Sequence, residues 1–565
     1  MPSTVSINTP FTFLPSSSIS IGLDSAREQA FKSVLSNSEH LDRCVTAFVY
    51  NGSLATYRTK VDFLSDRVLA DSTEIRLFNN ISSAILDPEM NLSVSYDYAM
   101  PADSVRTILT DAWESSLKKS EFPGGYVHSD IPFFEYDGPK IKIKSERAEH
   151  MSGGLEWTCS NGFKVVYRRM PTDGRLYYTL ALNAGFSSID GLEKGEGGYV
   201  SDYFMLSRIN GIPSDDFMGT LEAAGMSMDV HVGLNATMIS GSADDEDVDF
   251  MMSALHAAIY GRKMDYAAVR YYESGEPLRN EMRKGTGAEM TATINDIMCP
   301  EYEYVSYKMK DSLLPELAVK ADRFYEDLAG RMNDGVLILL GDVDPAVLKK
   351  KILTYAGGFA TTGRAFRRPM VRYVPASGWS TYTVSGDRNS VDIALSMPIA
   401  LTVDNYMAAE VAAMVLRSLI SEALTDTGMY PVMTYELKVY PNERINFHIS
   451  LNEVSENGFS SDTENSGPIE ALSIVRSVLS DVAGAELEVS AAEVEMFKTQ
   501  LKERIRTDME EPFYWLNVIS RRYLAGKDFT SGYESRINSV NADKVKSVLS
   551  GLGDGTRVEY IISER

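Results

Sequence analysis

The stretch GEGGYVSDYFML (195–206) sets a glycine-rich turn directly against a helical pattern. Glycine adopts positive φ and lets backbones approach closely, so the first residues read as a tight approach to the helix that follows. Val200, Tyr203 and Phe204 have the spacing of a core-facing stripe, which raises the question of whether Asp202, on the same helix, does chemistry.

The flanking segments give this helix its setting. Upstream, EWTCSNGFKVVYRR (156–169) reads as two strands around Ser-Asn-Gly, a hairpin signal because Asn and Gly tolerate positive φ, and YYTLALNAG (177–185) as a third strand. Downstream, FMGTLEAAG (217–225) reads as a helix ended by Gly225, MSMDVHVGLNATMISGSA (226–243) as two alternating strands, and DVDFMMSALHAAIYG (247–261) as a helix closed by Gly261. DGVLILLGDVDPAVLKKKIL (334–353) is a buried strand, a Gly-Asp turn and a helix opened by Pro345. Beyond a linker-like segment at 357–378 a second series begins. It has a strand at 391–397, a helix at 404–425, a strand pair at 436–451, helices at 468–483 and 490–508, and a closing strand at 558–563. The shared order of the two series makes a weak internal repeat the simplest organisation. Ahead of both, 18–23, 46–52 and 91–100 read as strands, 24–35 and 101–117 as helices, and 118–153 as an extended connection.

Bulk properties narrow the function. A chain of 565 residues exceeds what one core organises, which points to three or four modules. With 44% hydrophobic and 24% charged residues, and no apolar run near the ~20 residues of a membrane-spanning helix, it reads as a soluble globular protein. Its net charge of −24 disfavours nucleic acid or an anionic bilayer as partner. Cys44, Cys159 and Cys299 are too few and too far apart for a disulfide framework or a CxxC metal knuckle. The start, MPSTVSINTPFTFLP, lacks a basic n-region and an apolar h-region, so no signal peptide is visible.

Most catalytic motifs are missing. The histidines are His40, His128, His150, His231, His256 and His448, no two within four residues, so neither HExxH nor HxxEH exists and each reads as a surface or structural residue. GxSxG and the P-loop are absent, and GEGG is followed by no lysine. Asp202 and Glu281 are the carboxylates to weigh: together they could hold a hard cation, but they read first as solvated groups.

SNGFKVVYRR (160–169), LALNAG (180–185), the glycine-rich turn at 195–198, LEAAGMSMDV (221–230), LLGDVDP (339–345) and LTDTGMYPV (424–432) together resemble, in order and spacing over 156–563, the M16 metallopeptidases of the insulinase, pitrilysin and processing-peptidase group. The resemblance implies an α+β fold of tandem modules, each a mainly antiparallel sheet flanked by helices, paired into half of a clam-shell that holds an unfolded peptide. In the family's active module, HxxEH on the helix after the first strands and a distal glutamate bind zinc. Aligning the glycine-rich turn puts Gly198 and Asp202 at the histidine positions, Ser201 at the glutamate base, and Glu281 at the distal ligand. Glycine is no ligand and serine no carboxylate base, so the resemblance implies a degenerate site without zinc and a chain inactive on its own. The family's substrate-holding arginine and tyrosine would fall near Thr425 and Tyr430, of which only Tyr430 is kept.

Long bacterial members join four modules in one chain. By that comparison 1–150 resembles the end of one module plus a linker, 151–356 a module with a degenerate zinc site, 357–378 a linker, and 379–565 an inactive C-terminal module. The implied role is one half of a peptide-holding chamber. Zinc would belong only to a catalytic M16 partner chain or a missing N-terminal half, in a bacterial periplasm or envelope, otherwise in the cytoplasm. The alternatives are a non-proteolytic peptide-binding or scaffold protein of the same fold, and a hydrolase whose site is rebuilt from Asp202, Glu281 and His231.

Overall fold

The computed structural model describes residues 37–50, 54–55, 59, 101, 103–108, 110–111 and 138–564, except 301–312, 314, 362–370, 372, 374, 377, 387–388, 428, 430, 453–466 and 485–488. The chain divides into two units, Met1–Pro132 and Phe133–Arg565. In the first, the helix Asn37–Tyr50 covers much of the stretch expected as a strand at 46–52. Leu41, Val45 and Phe48 recur at helical spacing there, although all three are exposed. The expected strands at 18–23 and 91–100 and the helix at 24–35 lie outside the described residues.

The second unit opens with β1 (Ile143–Glu149), β2 (Gly154–Cys159), β3 (Lys164–Arg169) and β4 (Arg175–Leu182). There follow β5 (Ser207–Ile209), β6 (Ile212–Pro213), β7 (Ser227–Val232), β8 (Thr237–Asp244), β9 (Arg262–Met264) and β10 (Gly335–Gly341). The second series contributes β11 (Gly378–Gly386), β12 (Ser390–Pro398), β13 (Val432–Lys438), β14 (Arg444–Asn452) and β15 (Thr556–Glu564). One sheet has the order β1-β2-β3-β10-β4-β8-β7, a second β11-β15-β12-β14-β13, and β6-β5-β9 form a small third.

The repeat expected from the sequence is visible in the connectivity. In each large sheet the last strand of the series inserts centrally, parallel to one neighbour and antiparallel to the other: β10 lies between β3 and β4, and β15 between β11 and β12. The antiparallel hairpins β8-β7 and β14-β13 then extend the sheets to matching edges. The fold is thus mixed α/β, with antiparallel-rich sheets flanked by helices. β1 falls within the expected connection, and β11 follows the expected linker, in a stretch where no strand was expected; both are edge strands with mostly exposed residues, so no apolar alternation marks them.

Each sheet is sealed partly by the other series. Leu337 and Leu339 of β10 face one core with Tyr167 and Phe217, while Val336, Ile338 and Leu340 face the opposite side, where Trp515, Leu516 and Ile519 of the helix Pro512–Ala525 cover them. This explains why β10 reads as an uninterrupted apolar run. In return, Ile294 and Met298 of the helix Gly287–Met298 pack on Ala394, Val558 and Tyr560 of the second sheet. Burying each large apolar side chain contributes about 1.5–3 kcal/mol, so the exchange ties the two sheets together. The helix Pro512–Ala525, like Tyr533–Asn538 and Ala542–Ser550, was not anticipated.

Candidate functional site

The expected helix over 195–206 is shorter than its pattern suggests: a 3-10 turn at Glu196–Tyr199 and a single α-turn at Asp202–Met205. Three glycines, each costing a helix about 1 kcal/mol relative to alanine, account for the interruption. Gly195 supplies the turn with φ +90°. A Cβ on Gly197 would stand 2.5 Å from the Phe186 ring, so this position needs glycine for close packing. Val200 and Tyr203 are fully buried and Phe204 nearly so, which is the core-facing stripe the sequence indicated.

Asp202 and Glu281 are not brought together. Asp202 is half-buried and accepts a hydrogen bond from Tyr272 Oη at 2.6 Å, so it is not the solvated group expected. Burial raises its pKa, opposed by the Tyr272 hydrogen bond and by Arg279 and Arg283. Glu281 is the solvated one: its side chain is 68% exposed and pairs with Lys284 on the same helical turn at 2.6 Å. Ser201 Oγ accepts the backbone N–H of Val232 at 2.8 Å.

The carboxylate that closes this region is Glu276, completely buried at the start of the helix Glu276–Arg283. Its Oε1 accepts from Tyr199 Oη at 2.6 Å and from Arg283 Nη1 at 2.8 Å, and its Oε2 from Arg279 Nε at 2.9 Å. Arg279 also lies 3.8 Å over the Tyr272 ring, so the cluster joins the two arginines to the partner of Asp202. Burial raises the pKa of Tyr199, reinforced by Glu276, which keeps the phenol a donor. The sequence carried a signal for this: positions 276, 279 and 283 share one helical face, whereas 281 does not.

Beside this cluster, β7 is the last strand of its sheet among the described residues. Gly233 N–H donates to Ala236 at 2.8 Å across the β7-β8 turn, and pairing alternates from there, so Met228, Val230 and Val232 direct main-chain groups away from β8. Val232 uses its outward N–H on Ser201. The end of β7 opens into a cleft of about 420 Å³, lined by Gly198, Ser201 and His231 on one side and by Lys438, Arg444 and the Tyr440–Asn442 turn of the second series on the other. His231 is exposed and no bond joins it to Asp202 or Glu281, so the three do not form a rebuilt hydrolase site. Cys159 is buried, which pushes its thiol up to about 11 and away from nucleophilic use.

No protein-family model matches the sequence, and no curated protein does. Solved structures do. The ferredoxin protease FusC, as a mutant in complex with Arabidopsis ferredoxin, superposes with a TM-score of 0.64 at 12% identity, over 97% of this chain and 60% of its own. The periplasmic protease PqqL from Escherichia coli gives 0.60 at 14% identity, over 97% and 60%. A peptidase M16 inactive domain from Pseudomonas fluorescens gives 0.57 at 11%, over 72% and 98%. The fold is that of the M16 peptidases. The chain spans about 60% of the length of FusC and PqqL, and at these identities the likeness establishes the fold alone.

The resemblance puts the family's zinc positions, expected to be degenerate here, on the turn at 198–202, and the residues there do not fit the metal. Gly198 offers no donor atom, Ser201 is engaged by Val232, and Asp202 is held by Tyr272. Among the described residues no group of three or more His, Cys, Asp or Glu side chains has the geometry to hold a metal ion. Thr425 caps the helix Val403–Ala423 by donating to the Ser421 carbonyl at 3.2 Å, and Tyr430 lies outside the described residues.

Proposed function

We propose that this chain is a non-catalytic M16-type half that holds an extended peptide along β7 and supports zinc-dependent proteolysis by a partner chain or front half. The observation that carries the reading is the edge of β7, unpaired among the described residues, which ends beside Gly198 and Ser201. Outward main-chain groups at Met228 and Val230 can take a strand-forming peptide by backbone hydrogen bonding, a mode largely indifferent to sequence. Glu276 is neutralised and hydrogen-bonded by Arg279, Arg283 and Tyr199, so its carboxylate calls for no cation. Zinc and the proton transfers of hydrolysis then belong to the partner. A bacterial periplasm or envelope is the proposed location; no helix of the described residues is long and apolar enough to cross a membrane.

The test is co-purification from the native cell. A chain carrying HxxEH should appear at equal stoichiometry, with chelator-sensitive peptide cleavage only in the complex. Peptide binding without any such partner would leave a peptide-binding scaffold instead.

A further inference from the structure

The cleft at the end of β7 contains an arginine with no carboxylate partner among the described residues. Arg444 is only 5% exposed, and its Nε and Nη2 donate to the Oγ and the carbonyl of Ser396 at 2.8 and 3.0 Å. No carboxylate pairs with it, and its Nη1 has no hydrogen-bond partner among the described residues. Arg557, equally buried, lies 2.8 Å from Glu559, and Arg262 lies 2.7 Å from Asp322. Arg168, which like Arg444 shows no carboxylate partner among the described residues, stacks 4.0 Å over the Trp515 ring, whereas Arg444 lies a looser 5.5 Å from the Tyr373 ring. A buried guanidinium without its anion is costly to keep. Across the hairpin from Arg444, Lys438 has only a loose 3.4 Å contact with Glu436, both more than 40% exposed. Arg444, Lys438 and Glu436 thus leave one net positive charge on this wall of a cleft in a chain of net charge −24.

We infer that this cleft receives a carboxylate of the held peptide, either its C-terminus or an Asp or Glu side chain, on Arg444 and Lys438. The inference rests on the peptide-holding reading above. A peptide paired with Met228 and Val230 runs into the cleft at Val232, and a carboxylate there completes the free Nη1 of Arg444 with a charge-assisted hydrogen bond. In an acidic protein a small cationic recess also selects and orients: most of the surface repels the group that this point attracts.

The experiment is fluorescence anisotropy of an unfolded peptide in four forms, with a free or amidated C-terminus and with its acidic residues as Glu or Gln. One neutralisation should weaken binding to the wild-type chain roughly tenfold, and which one identifies the carboxylate that is read. Arg444→Gln should bind all four as the wild type binds the fully neutral form. If that variant does not fold, Lys438→Met, at the exposed end of β13, should narrow the differences. Equal binding of all four peptides to the wild type overturns the inference while leaving the peptide-holding reading intact. Binding of none overturns both.

Discussion

Replacing Glu276 with alanine should loosen the helix Glu276–Arg283, whereas the same change at Glu281 should leave it unchanged. Glu276 is fully buried and accepts from Tyr199, Arg279 and Arg283 at 2.6–2.9 Å, so its removal strands two guanidinium groups and a phenol. Breaking a buried ion pair from one side costs about 3–5 kcal/mol. Arg279 and Arg283 remain 29% and 23% exposed and can recover part of their hydration, which places the loss near the low end, about 3 kcal/mol. Native-state hydrogen exchange measured on peptides spanning 268–284 reports this directly as local opening. Protection in Glu276→Ala should fall by roughly two orders of magnitude, since about 1.4 kcal/mol corresponds to tenfold. In Glu281→Ala it should match the wild type, because that carboxylate is 68% exposed and meets only Lys284. A loss of less than tenfold in Glu276→Ala, or equal losses in both variants, would refute the assignment of Glu276 as the buried anchor of the degenerate site.

Three further outcomes are expected. Gly197→Ala forces a Cβ to 2.5 Å from Phe186 and should destabilise the chain by about 1–3 kcal/mol in urea titration. Asp202 has its folded pKa raised by burial, so the stability it contributes is present at low pH and lost as pH climbs from the unfolded value of about 3.9 through the raised folded one. Asp202→Asn, which can still accept from Tyr272, should therefore gain on the wild type across that window and hold the advantage at pH 7; a wild type that gains on the variant as pH rises contradicts the assignment. Val230→Pro removes an outward N–H from β7 without touching its ladder to β8, and should abolish binding of an unfolded peptide while leaving the circular dichroism spectrum unchanged.

The sequence made the elements legible wherever burial is one-sided or complete. The Ser-Asn-Gly hairpin became β2 and β3, the GVLILLG run became β10 between two neighbours, and the strand pair expected at 436–451 became β13, which starts earlier at Val432, and β14. The shared order of the two series survives as matching sheet topology. Edge strands β1 and β11 escaped because exposed strands need no apolar alternation. At the site, the loss of histidine and glutamate from the turn at 198–202 was readable from residue identity alone. What replaced them was legible only in part: Glu276, Arg279 and Arg283 share one helical face, but that the fold buries this face, and so ranks Glu276 above Glu281, is set by tertiary packing. Arg444 and Gly198 line one cleft although they are far apart in the chain, since the two series meet there. Such convergence is a property of tertiary packing, and no spacing in the sequence encodes it.

On the proposed function, this chain holds peptide and does not cut it. Incubating the purified chain with a labelled unfolded peptide and added zinc, then measuring both bound fraction and peptide mass, tests it in one experiment. Saturable binding of intact peptide, indifferent to chelator, is the expected result. Chelator-sensitive cleavage by the chain alone, or no binding at any concentration, would contradict it.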